Sequence, residues 1–458
     1  METLAAAARR LGATLQGPDA EIRRVETDTR KLRPGDLFVA LKGERFDGHE
    51  YVREAMKNGA AGALVSRPTG EGSQIVVPDT LLALQAYGTS WRADFSLPVV
   101  GVTGSNGKTT TKQLLSAICA ARGPVLATQG NLNNHIGVPL TLLSLRPEHR
   151  TAVVEMGANH PGEIALLTEL ARPHIGVITQ AGDAHLEGFG SREGVARAKG
   201  ELFAGLGAGG IAVINLDDAY APLWKQLAGP AATITFGFAA AADVRASHLQ
   251  PYPEGAPVGT RFELRAPEGR ATVELPLPGR HNVANALAAA GCAVALGMDL
   301  SDIAEQLKRV QPPAGRLAWT ATTSGARLLD DSYNANPSSL RAGLEMLAEV
   351  RAERWLVLGD MAELGADSAR MHFDAGRDAR ALGVQRVFAV GALAAEAARG
   401  FGEGAQTYKD VDALLAALTR ELREGVAVLV KGSRSARMER VVAGLTGRDQ
   451  SRAHEGTH

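Results

Sequence analysis

The residue types between Gly101 and Thr110 could bind the phosphates of a nucleotide. This stretch reads G-V-T-G-S-N-G-K-T-T, follows an apolar run and precedes a helical pattern. Backbone N–H groups of such a loop, together with the dipole of the following helix, bind phosphate oxygens. Lys108 would neutralise phosphate charge, and the hydroxyl of Thr109 can ligate Mg²⁺. The stretch therefore predicts a nucleoside triphosphate site formed by Gly104, Ser105, Asn106, Gly107, Lys108, Thr109 and Thr110.

The loop departs from the strict pattern G-x-x-x-x-G-K-[ST] at its first position, where Val102 replaces glycine. It is better written T-G-x-N-G-K-T, from Thr103 to Thr109. Because of this departure, the loop points away from the generic nucleoside triphosphatases.

Two polar residues follow other predicted strands and could complete a metal site. Glu155 ends an apolar strand that begins at Thr151, and the carboxyl ends of parallel strands are where α/β sites form. Because Mg²⁺ needs oxygen ligands besides Thr109, Glu155 is the natural partner, although it could instead cap the next helix. His185 lies in a polar, glycine-rich loop after the predicted strand from Ile175 to Thr179. It could bind a second metal or orient a phosphate, or it could simply face solvent.

Three further motifs are open to more than one interpretation. From its spacing alone, Lys199 is interpreted as an exposed lysine on a helix. The run D-S-Y-N-A-N-P at 331–337 puts polar groups where a strand ends and could hold a ribose or a substrate. Within it, Asn336 also fits the N-cap of a helix that begins at Pro337. The run K-G-S-R-S at 431–435 offers two cations that suit an anion or a carboxylate.

Alternating strands and helices must position these residues. From Leu97 to Asn215 the alternation predicts a parallel sheet covered by helices. Between Ala231 and Pro278 short alternating segments predict an antiparallel insertion, and beyond a proline-containing linker at 311–315 the strand and helix alternation resumes. At one domain per about 150 residues, a chain of 458 residues is expected to hold three domains. The predicted fold class is α/β, with an N-terminal domain at 1–80, a central P-loop-type domain at 81–313 and a Rossmann-like C-terminal domain at 314–458.

The composition narrows the function classes. A net charge of −1 and an aromatic content of 5% argue against a nucleic-acid binder. Cys119 and Cys292 lie far apart in apolar helical patterns, so we expect buried free thiols in a reducing cytoplasm. The N-terminal segment does not have the pattern of a signal peptide, and we expect no membrane span.

Taken together, the motifs resemble those of the Mur ligase family over nearly the whole chain. All of them in this order would be very hard to obtain by chance. The segments that carry the resemblance are D-T-R at 28–30, P-G-D-L-F-V-A-L at 34–41, the loop at 103–109, G-N-L-N-N at 130–134, I-G-V-P at 136–139, H-L-E-G-F-G-S at 185–191, G-R-H-N at 279–282, D-S-Y-N-A-N-P at 331–337, G-D-M-A-E-L-G at 359–365 and K-G-S-R-S at 431–435.

The resemblance implies an enzyme that joins D-alanyl-D-alanine to UDP-N-acetylmuramoyl-tripeptide in peptidoglycan synthesis, with ATP and Mg²⁺ as cofactors. ATP would convert the tripeptide's terminal carboxylate to an acyl phosphate, which the dipeptide amine then attacks. The first domain would hold the UDP-sugar and the second ATP. The third would close over both, hinged near 312–315, and a monomer is the family expectation.

The resemblance also implies a role for each matching residue. Lys108 and Thr109 would serve the γ-phosphate and the first Mg²⁺, and Glu155 and His185 match ligands of metal and phosphate. Lys199 matches the lysine that the family carbamoylates, which would make it anionic and help hold the second Mg²⁺. The remaining matches are nucleotide contacts at Asn282 and Arg316, a ribose-binding acid at Asp331, uridine-nucleotide contacts at Thr29 and Arg30, and the D-alanyl-D-alanine side at Asn334 and Asn336.

Three other functions compete with this interpretation. Folylpolyglutamate synthases share the T-G-x-N-G-K-T loop but lack the segment at 28–49. The ligase that adds the third residue of the peptide would carry a different motif in place of Y-N-A-N-P at 333–337. A nucleotide-binding switch without ligase activity would have little need for Lys108, Glu155 and Lys199 together.

Overall fold

The computed structural model describes residues 1–44, 46–183, 185–252, 259–311 and 315–447. Strands in these residues form three separate sheets, and helices pack against them. The predicted α/β fold class is therefore confirmed. Cys119 and Cys292 are buried free thiols, as predicted. Among the described residues, no helix is both long and apolar enough to cross a bilayer.

The first sheet has five strands in the order β1-β5-β4-β3-β2. Strands β2 to β5 pair in parallel, whereas β1 runs antiparallel to β5. The strands are Thr14–Gln16 (β1), Arg24–Glu26 (β2), Asp36–Val39 (β3), Gly62–Val65 (β4) and Gln74–Val76 (β5). The helices are Leu4–Arg10 (α1), Val52–Lys57 (α2) and Thr80–Ala93 (α3), with short 3₁₀ turns at Thr29–Lys31 and Gly48–Tyr51.

The central sheet has nine strands in the order β14-β13-β12-β11-β10-β9-β6-β8-β7. Neighbours from β7 through β12 pair in parallel, and only the β12–β13 and β13–β14 pairs are antiparallel. The strands are Val99–Thr103 (β6), Val125–Ala127 (β7), Thr151–Glu155 (β8), Ile175–Ile178 (β9), Ile211–Asn215 (β10), Ala232–Gly237 (β11), Val244–Tyr252 (β12), Gly259–Ala266 (β13) and Gly269–Leu275 (β14).

The predicted antiparallel insertion is confirmed in part. Strand β11 lies inside the predicted segment but pairs in parallel with β10, and β12 pairs in parallel with β11. The antiparallel strands extend the same sheet. Strand β13 shows the alternation that the sequence predicted. Phe262 and Leu264 are buried, whereas Arg261 is exposed and Glu263 is partly exposed.

Helices cover both faces of the central sheet. Val153 packs into the apolar core that contains α4 and α10, whereas its neighbour Val154 packs into the core that contains α6 and α8. The helices are Lys108–Cys119 (α4), Gly137–Leu142 (α5), Glu163–Ala171 (α6), Leu186–Phe189 (α7), Arg192–Ala204 (α8), Ala221–Ala228 (α9), Arg280–Ala295 (α10) and Leu300–Lys308 (α11).

The third sheet has six strands in the order β15-β16-β20-β17-β18-β19, parallel except for the β15–β16 hairpin. The predicted hinge residues 312–314 lie outside the described residues. The strands are Ala318–Ala321 (β15), Arg327–Asp331 (β16), Glu353–Gly359 (β17), Arg386–Val390 (β18), Ala405–Tyr408 (β19) and Val426–Lys431 (β20). The helices are Pro337–Ala348 (α12), Ser368–Ala381 (α13), Ala394–Phe401 (α14), Val411–Glu421 (α15) and Glu439–Thr446 (α16).

Candidate active site

The predicted phosphate loop connects the end of β6 to the start of α4. Gly104 and Gly107 have φ values of 141° and 83°, which side-chain-bearing residues rarely adopt. A Cβ atom on Gly104 would lie 1.9 Å from Thr179 Oγ1, and one on Gly107 would lie 2.1 Å from Asn285 Oδ1. Both glycines are therefore required for the loop to fit against its neighbours.

Lys108 and Thr109 stand at the first turn of α4. Lys108 Nζ donates to the carbonyl oxygens of Gly104 at 2.7 Å and Ser105 at 3.3 Å, so the lysine folds back over the loop. Burial lowers the pKa of the Lys108 ammonium. Thr109 Oγ1 accepts a hydrogen bond of 3.1 Å from Arg316 Nη2. Arg316, 207 residues further along the chain, thus reaches the phosphate loop.

Glu155 is buried at the carboxyl end of β8, with 2% of its surface exposed. Its Oε1 accepts from Asn133 Nδ2 at 2.9 Å, while its buried Oε2 has no hydrogen-bond partner and lies 3.5 Å from Lys112 Nζ. The alternative that Glu155 caps the next helix is wrong, because Gly162 holds the N-cap of α6 without a side-chain bond. A buried carboxylate oxygen without a donor fits a hard cation.

His185 is not a free surface residue. It precedes α7 with a φ of 55°, and its Nδ1 lies against the carboxylate of Glu363 from the C-terminal part of the chain. This contact lowers the pKa of Glu363. His185 thus lies between the central and third sheets, 24% exposed.

Lys199 is buried, so its interpretation as an exposed lysine is wrong. Its side chain is 1% exposed, and Nζ donates to the Ala158 carbonyl at 3.3 Å and lies 5.2 Å from the Phe189 ring centroid. Burial lowers the pKa of Lys199 to about 7, and the nearby Lys108 adds to this effect. The sequence held a signal for burial, because Lys199 is three or four positions from the apolar residues Val195, Ala196, Leu202 and Phe203, all buried on α8.

Asn282, on helix α10, and Asp331, at the end of strand β16, line the same cavity. Asn282 lies in the first turn of α10, 5% exposed, and donates to the Pro278 carbonyl at 2.8 Å. Asp331 ends β16 and forms a buried ion pair with Lys431. Lys431 Nζ also donates to the Asn334 carbonyl at 2.9 Å. Lys431 of the K-G-S-R-S run is therefore already engaged by protein groups.

Asn336 does cap α12, as one of the two interpretations predicted. Its Oδ1 accepts from the Ser339 N–H at 2.9 Å, and Ser339 Oγ completes a capping box with the Asn336 backbone. Its amide also contacts Asn106 of the phosphate loop. The cap and the interdomain contact use the same side chain.

A single cavity of about 980 Å³ gathers most of the predicted site residues. Lys199 and Gly104 do not line this cavity. Lys199 lies directly behind the wall, because its Nζ donates to the carbonyl oxygen of the lining residue Ala158. Thr29 and Arg30 lie apart on the first sheet's 3₁₀ turn, where Arg30 pairs with Asp28 and its side chain is 84% exposed. The predicted residues that line the cavity are Ser105, Asn106, Gly107, Lys108, Thr109, Thr110, Glu155, His185, Asn282, Arg316, Asp331, Asn334 and Asn336.

Several residues of this site had no role predicted for them. Asn133 lies in the G-N-L-N-N run and orients Glu155, and Lys112 follows Lys108 by four residues on the same face of α4. Lys112 was detectable by this spacing, whereas the contact of Glu363 with His185 depends on tertiary structure. In the described part of the chain, no three His, Cys, Asp or Glu side chains form a ready metal cage. A cation at Glu155 would therefore complete its shell with phosphate oxygens and water.

A phosphate loop at a cavity lined from the central and third sheets defines a nucleotide-binding protein of multidomain α/β architecture. The chain belongs to the Mur ligase family. Its residues match the descriptions "Mur ligase family, catalytic domain" at 21–87, "Mur ligase middle domain" at 102–293 and "Mur ligase, glutamate ligase domain" at 315–434.

Named relatives cover almost the full chain. The Escherichia coli UDP-N-acetylmuramoyl-tripeptide--D-alanyl-D-alanine ligase is 46% identical over 95% of this chain and 96% of its own. A crystal structure of MurF from Acinetobacter baumannii superposes with a TM-score of 0.90 at 38% identity, covering 97% of this chain and 99% of that one. MurF from Thermotoga maritima in complex with ADP superposes with a TM-score of 0.81 at 29% identity, covering 94% and 98%.

Proposed function

We propose that this chain ligates D-alanyl-D-alanine to UDP-N-acetylmuramoyl-tripeptide at the expense of ATP, giving UDP-N-acetylmuramoyl-pentapeptide, ADP and phosphate. The observation that carries the proposal is the 46% identity to the Escherichia coli ligase of that name over 95% of this chain. The reaction serves peptidoglycan precursor synthesis and takes place in the cytoplasm. We propose that residues 1–80 bind the UDP-sugar, that residues 81–313 bind ATP, and that residues 314–458 bind the dipeptide and close over both.

The first step is phosphoryl transfer, because a carboxylate is a poor electrophile. The terminal carboxylate oxygen of the tripeptide attacks the γ-phosphorus, its new O–P bond replaces the bond to ADP, and an acyl phosphate forms. Loop N–H groups and Lys108 hold the phosphates, and Arg316 adds a second cation beside Thr109. Asn282 and Asp331 contact the nucleotide, Asp331 at the ribose.

Mg²⁺, when bound, neutralises charge on the phosphate oxygens. Thr109, Glu155 and His185 would hold it, and the feature that fits it best is the buried Oε2 of Glu155, which has no hydrogen-bond partner and whose nearest cation is Lys112 Nζ at 3.5 Å. We propose that Lys199 carries a carbamate that helps hold a second ion. The neutral Lys199 amine adds to CO₂, forming an N–C bond and releasing a proton to water, and a pKa near 7 keeps enough of the amine neutral for this addition.

The second step is attack of the dipeptide amine on the acyl phosphate. The C–N bond forms through a tetrahedral intermediate, the C–O bond to phosphate breaks, and the amine proton passes to water. Asn334 and Asn336 lie on the D-alanyl-D-alanine side, while Thr29 and Arg30 contact the uridine nucleotide. Acyl phosphates hydrolyse, so contacts between the central and third sheets serve to exclude water during the reaction.

The test measures phosphate release from the purified chain with ATP, Mg²⁺ and UDP-N-acetylmuramoyl-tripeptide, with and without D-alanyl-D-alanine. We expect phosphate release that requires both UDP-N-acetylmuramoyl-tripeptide and D-alanyl-D-alanine, with one UDP-N-acetylmuramoyl-pentapeptide formed per phosphate released. Release that instead requires a diamino acid and the UDP-dipeptide would assign the preceding ligase reaction. Light scattering during size-exclusion chromatography tests the proposed monomer, with an expected mass near 47.9 kDa.

A further inference from the structure

The phosphate loop and the loop that follows β16 are joined by a pair of asparagine amides. Asn336 Nδ2 donates to Asn106 Oδ1 at 2.8 Å, and Asn106 Nδ2 donates to Asn336 Oδ1 at 3.3 Å and to Ser338 Oγ at 2.9 Å. The two asparagines are 230 residues apart in the chain. This reciprocal arrangement satisfies donor and acceptor of both amides at once.

The oxygen of the Asn336 amide is fully engaged by protein groups. Besides Asn106, it accepts from the Ser339 N–H at 2.9 Å and from Ser338 Oγ at 2.9 Å. The residue as a whole is only 7% exposed. Although Asn336 lines the cavity, its amide oxygen is occupied by three protein donors and is not available as an acceptor for a substrate.

Asn106 is held from its other side as well. The backbone carbonyl oxygen of Asn106 accepts a hydrogen bond from Thr179 Oγ1 at 2.5 Å, which anchors the phosphate loop to the residue that follows β9. The Asn336 contact therefore links a loop with a fixed position in the central sheet to the start of α12 in the C-terminal part. Arg316, through Thr109, makes a separate link to the same loop.

We propose that Asn336 is a positioning residue that fixes the segment 331–336 against the phosphate loop, rather than a residue that contacts the dipeptide. This inference rests on the proposed function and deepens it. The segment presents Asp331 and Asn334 to the cavity, and Asn336 sets their distance from the phosphate loop through its bond to Asn106. Because the rate of such a reaction depends on how the reacting groups approach each other, a small change in this contact is expected to change turnover.

The test is a double-mutant cycle on nucleotide affinity, using the full chain and a non-hydrolysable ATP analogue with Mg²⁺. Asn336→Ser keeps an N-cap oxygen but is too short to reach Asn106, and Asn106→Ala removes the partner. We expect each single variant to weaken binding about tenfold, the size of one to two neutral hydrogen bonds. The double variant is expected to be no weaker than Asn106→Ala alone. Fold-changes that multiply in the double variant would overturn the proposal.

A steady-state measurement separates positioning from direct contact. We expect Asn336→Ser to lower kcat about tenfold while the KM for D-alanyl-D-alanine stays within about twofold. A tenfold rise in that KM with unchanged nucleotide affinity would make Asn336 a dipeptide contact and refute the proposal. Asn336→Asp, which keeps the cap and the reach but cannot donate to Asn106, is expected to give a smaller loss in the same direction.

Matched controls keep the result interpretable. Asp410→Ser makes a similar cap exchange at the N-cap of α15, where Asp410 accepts from the Ala413 N–H, and is expected to leave nucleotide affinity unchanged. An affinity loss in this control equal to that of Asn336→Ser would overturn the proposal. The nucleotide cycle does not depend on the acceptor, so a wild-type chain that binds nucleotide but ligates nothing would count against the proposed function alone.

Discussion

Asp331 and Lys431 are register partners on the adjacent parallel strands β16 and β20, and their side chains form a buried ion pair. Burial raises the pKa of Asp331, and the ammonium of Lys431 opposes that effect. Lys431 also holds the Asn334 carbonyl. The pair therefore holds the Asp331 side chain in the wall of the cavity and fixes the backbone that follows it.

Replacing this lysine is expected to cost stability. Lys431→Met leaves the Asp331 carboxylate buried without a cation, which we expect to lower the free energy of unfolding by about 3–5 kcal/mol. Urea unfolding measures the change in the free energy of unfolding, and a separate hydrogen-exchange experiment measures the protection of strands β16 and β20. Lys409→Met, at a lysine that is 83% exposed, is the control, with an expected effect below about 0.5 kcal/mol. Equal stability of Lys431→Met and wild type would contradict the prediction.

The carbamate proposal predicts that Lys199→Ala lowers turnover about 100-fold or more, because the anionic group that helps hold a metal is lost. Added bicarbonate is expected to make no difference in this variant. In the wild type, ¹³C NMR with labelled bicarbonate should show a carbamate carbon whose formation speeds up as pH rises through about 7, where the amine loses its proton. Lys225→Ala, at an exposed lysine of α9, should keep full activity. Wild-type activity in Lys199→Ala would remove the proposal.

Glu155 is expected to control the response to Mg²⁺. Glu155→Gln keeps the oxygen that accepts from Asn133 but removes the charge, so the Mg²⁺ concentration for half-maximal activity should rise at least about tenfold. A titration of phosphate release against Mg²⁺ measures it. Asn133→Ala, which only frees the carboxylate to rotate, should give a smaller rise. Glu148→Gln, at an exposed position, is the control, and an unchanged titration in Glu155→Gln would rule out the metal role.

His281 is expected to make the fold sensitive to acid. Burial lowers the pKa of its imidazole from 6.5 to about 4, with Lys431 contributing. The unfolded chain takes up this proton more readily than the folded one. The contribution of His281 to the free energy of unfolding is therefore fully present above pH 6.5. It decreases as pH falls towards 4, by about 3 kcal/mol in total. Unfolding free energies of wild type and His281→Asn across this range should converge as pH falls, and parallel curves would contradict the prediction.

Strand positions were predictable because buried parallel strands appear as short apolar runs. Strand β8 has the bounds that its pattern indicates, Thr151–Glu155, and β9 begins at Ile175 as predicted and ends one residue before the predicted Thr179. Lys199 was misread because a polar residue at an apolar position is normally scored as surface, although its neighbours at helical spacing are all buried. The contacts of Asn106 with Asn336 could not be predicted, since no local pattern relates loops 230 residues apart.

The hydrogen bond from Arg316 to Thr109 has a consequence for work with pieces of this chain. A fragment that ended at residue 311 would contain the phosphate loop, Glu155 and Asn282, yet it would lack the guanidinium that reaches Thr109. Its pocket would be open on the side where the C-terminal part now stands. Compounds selected against such a truncated protein would therefore be selected against a different surface from the one that the intact chain presents to ATP.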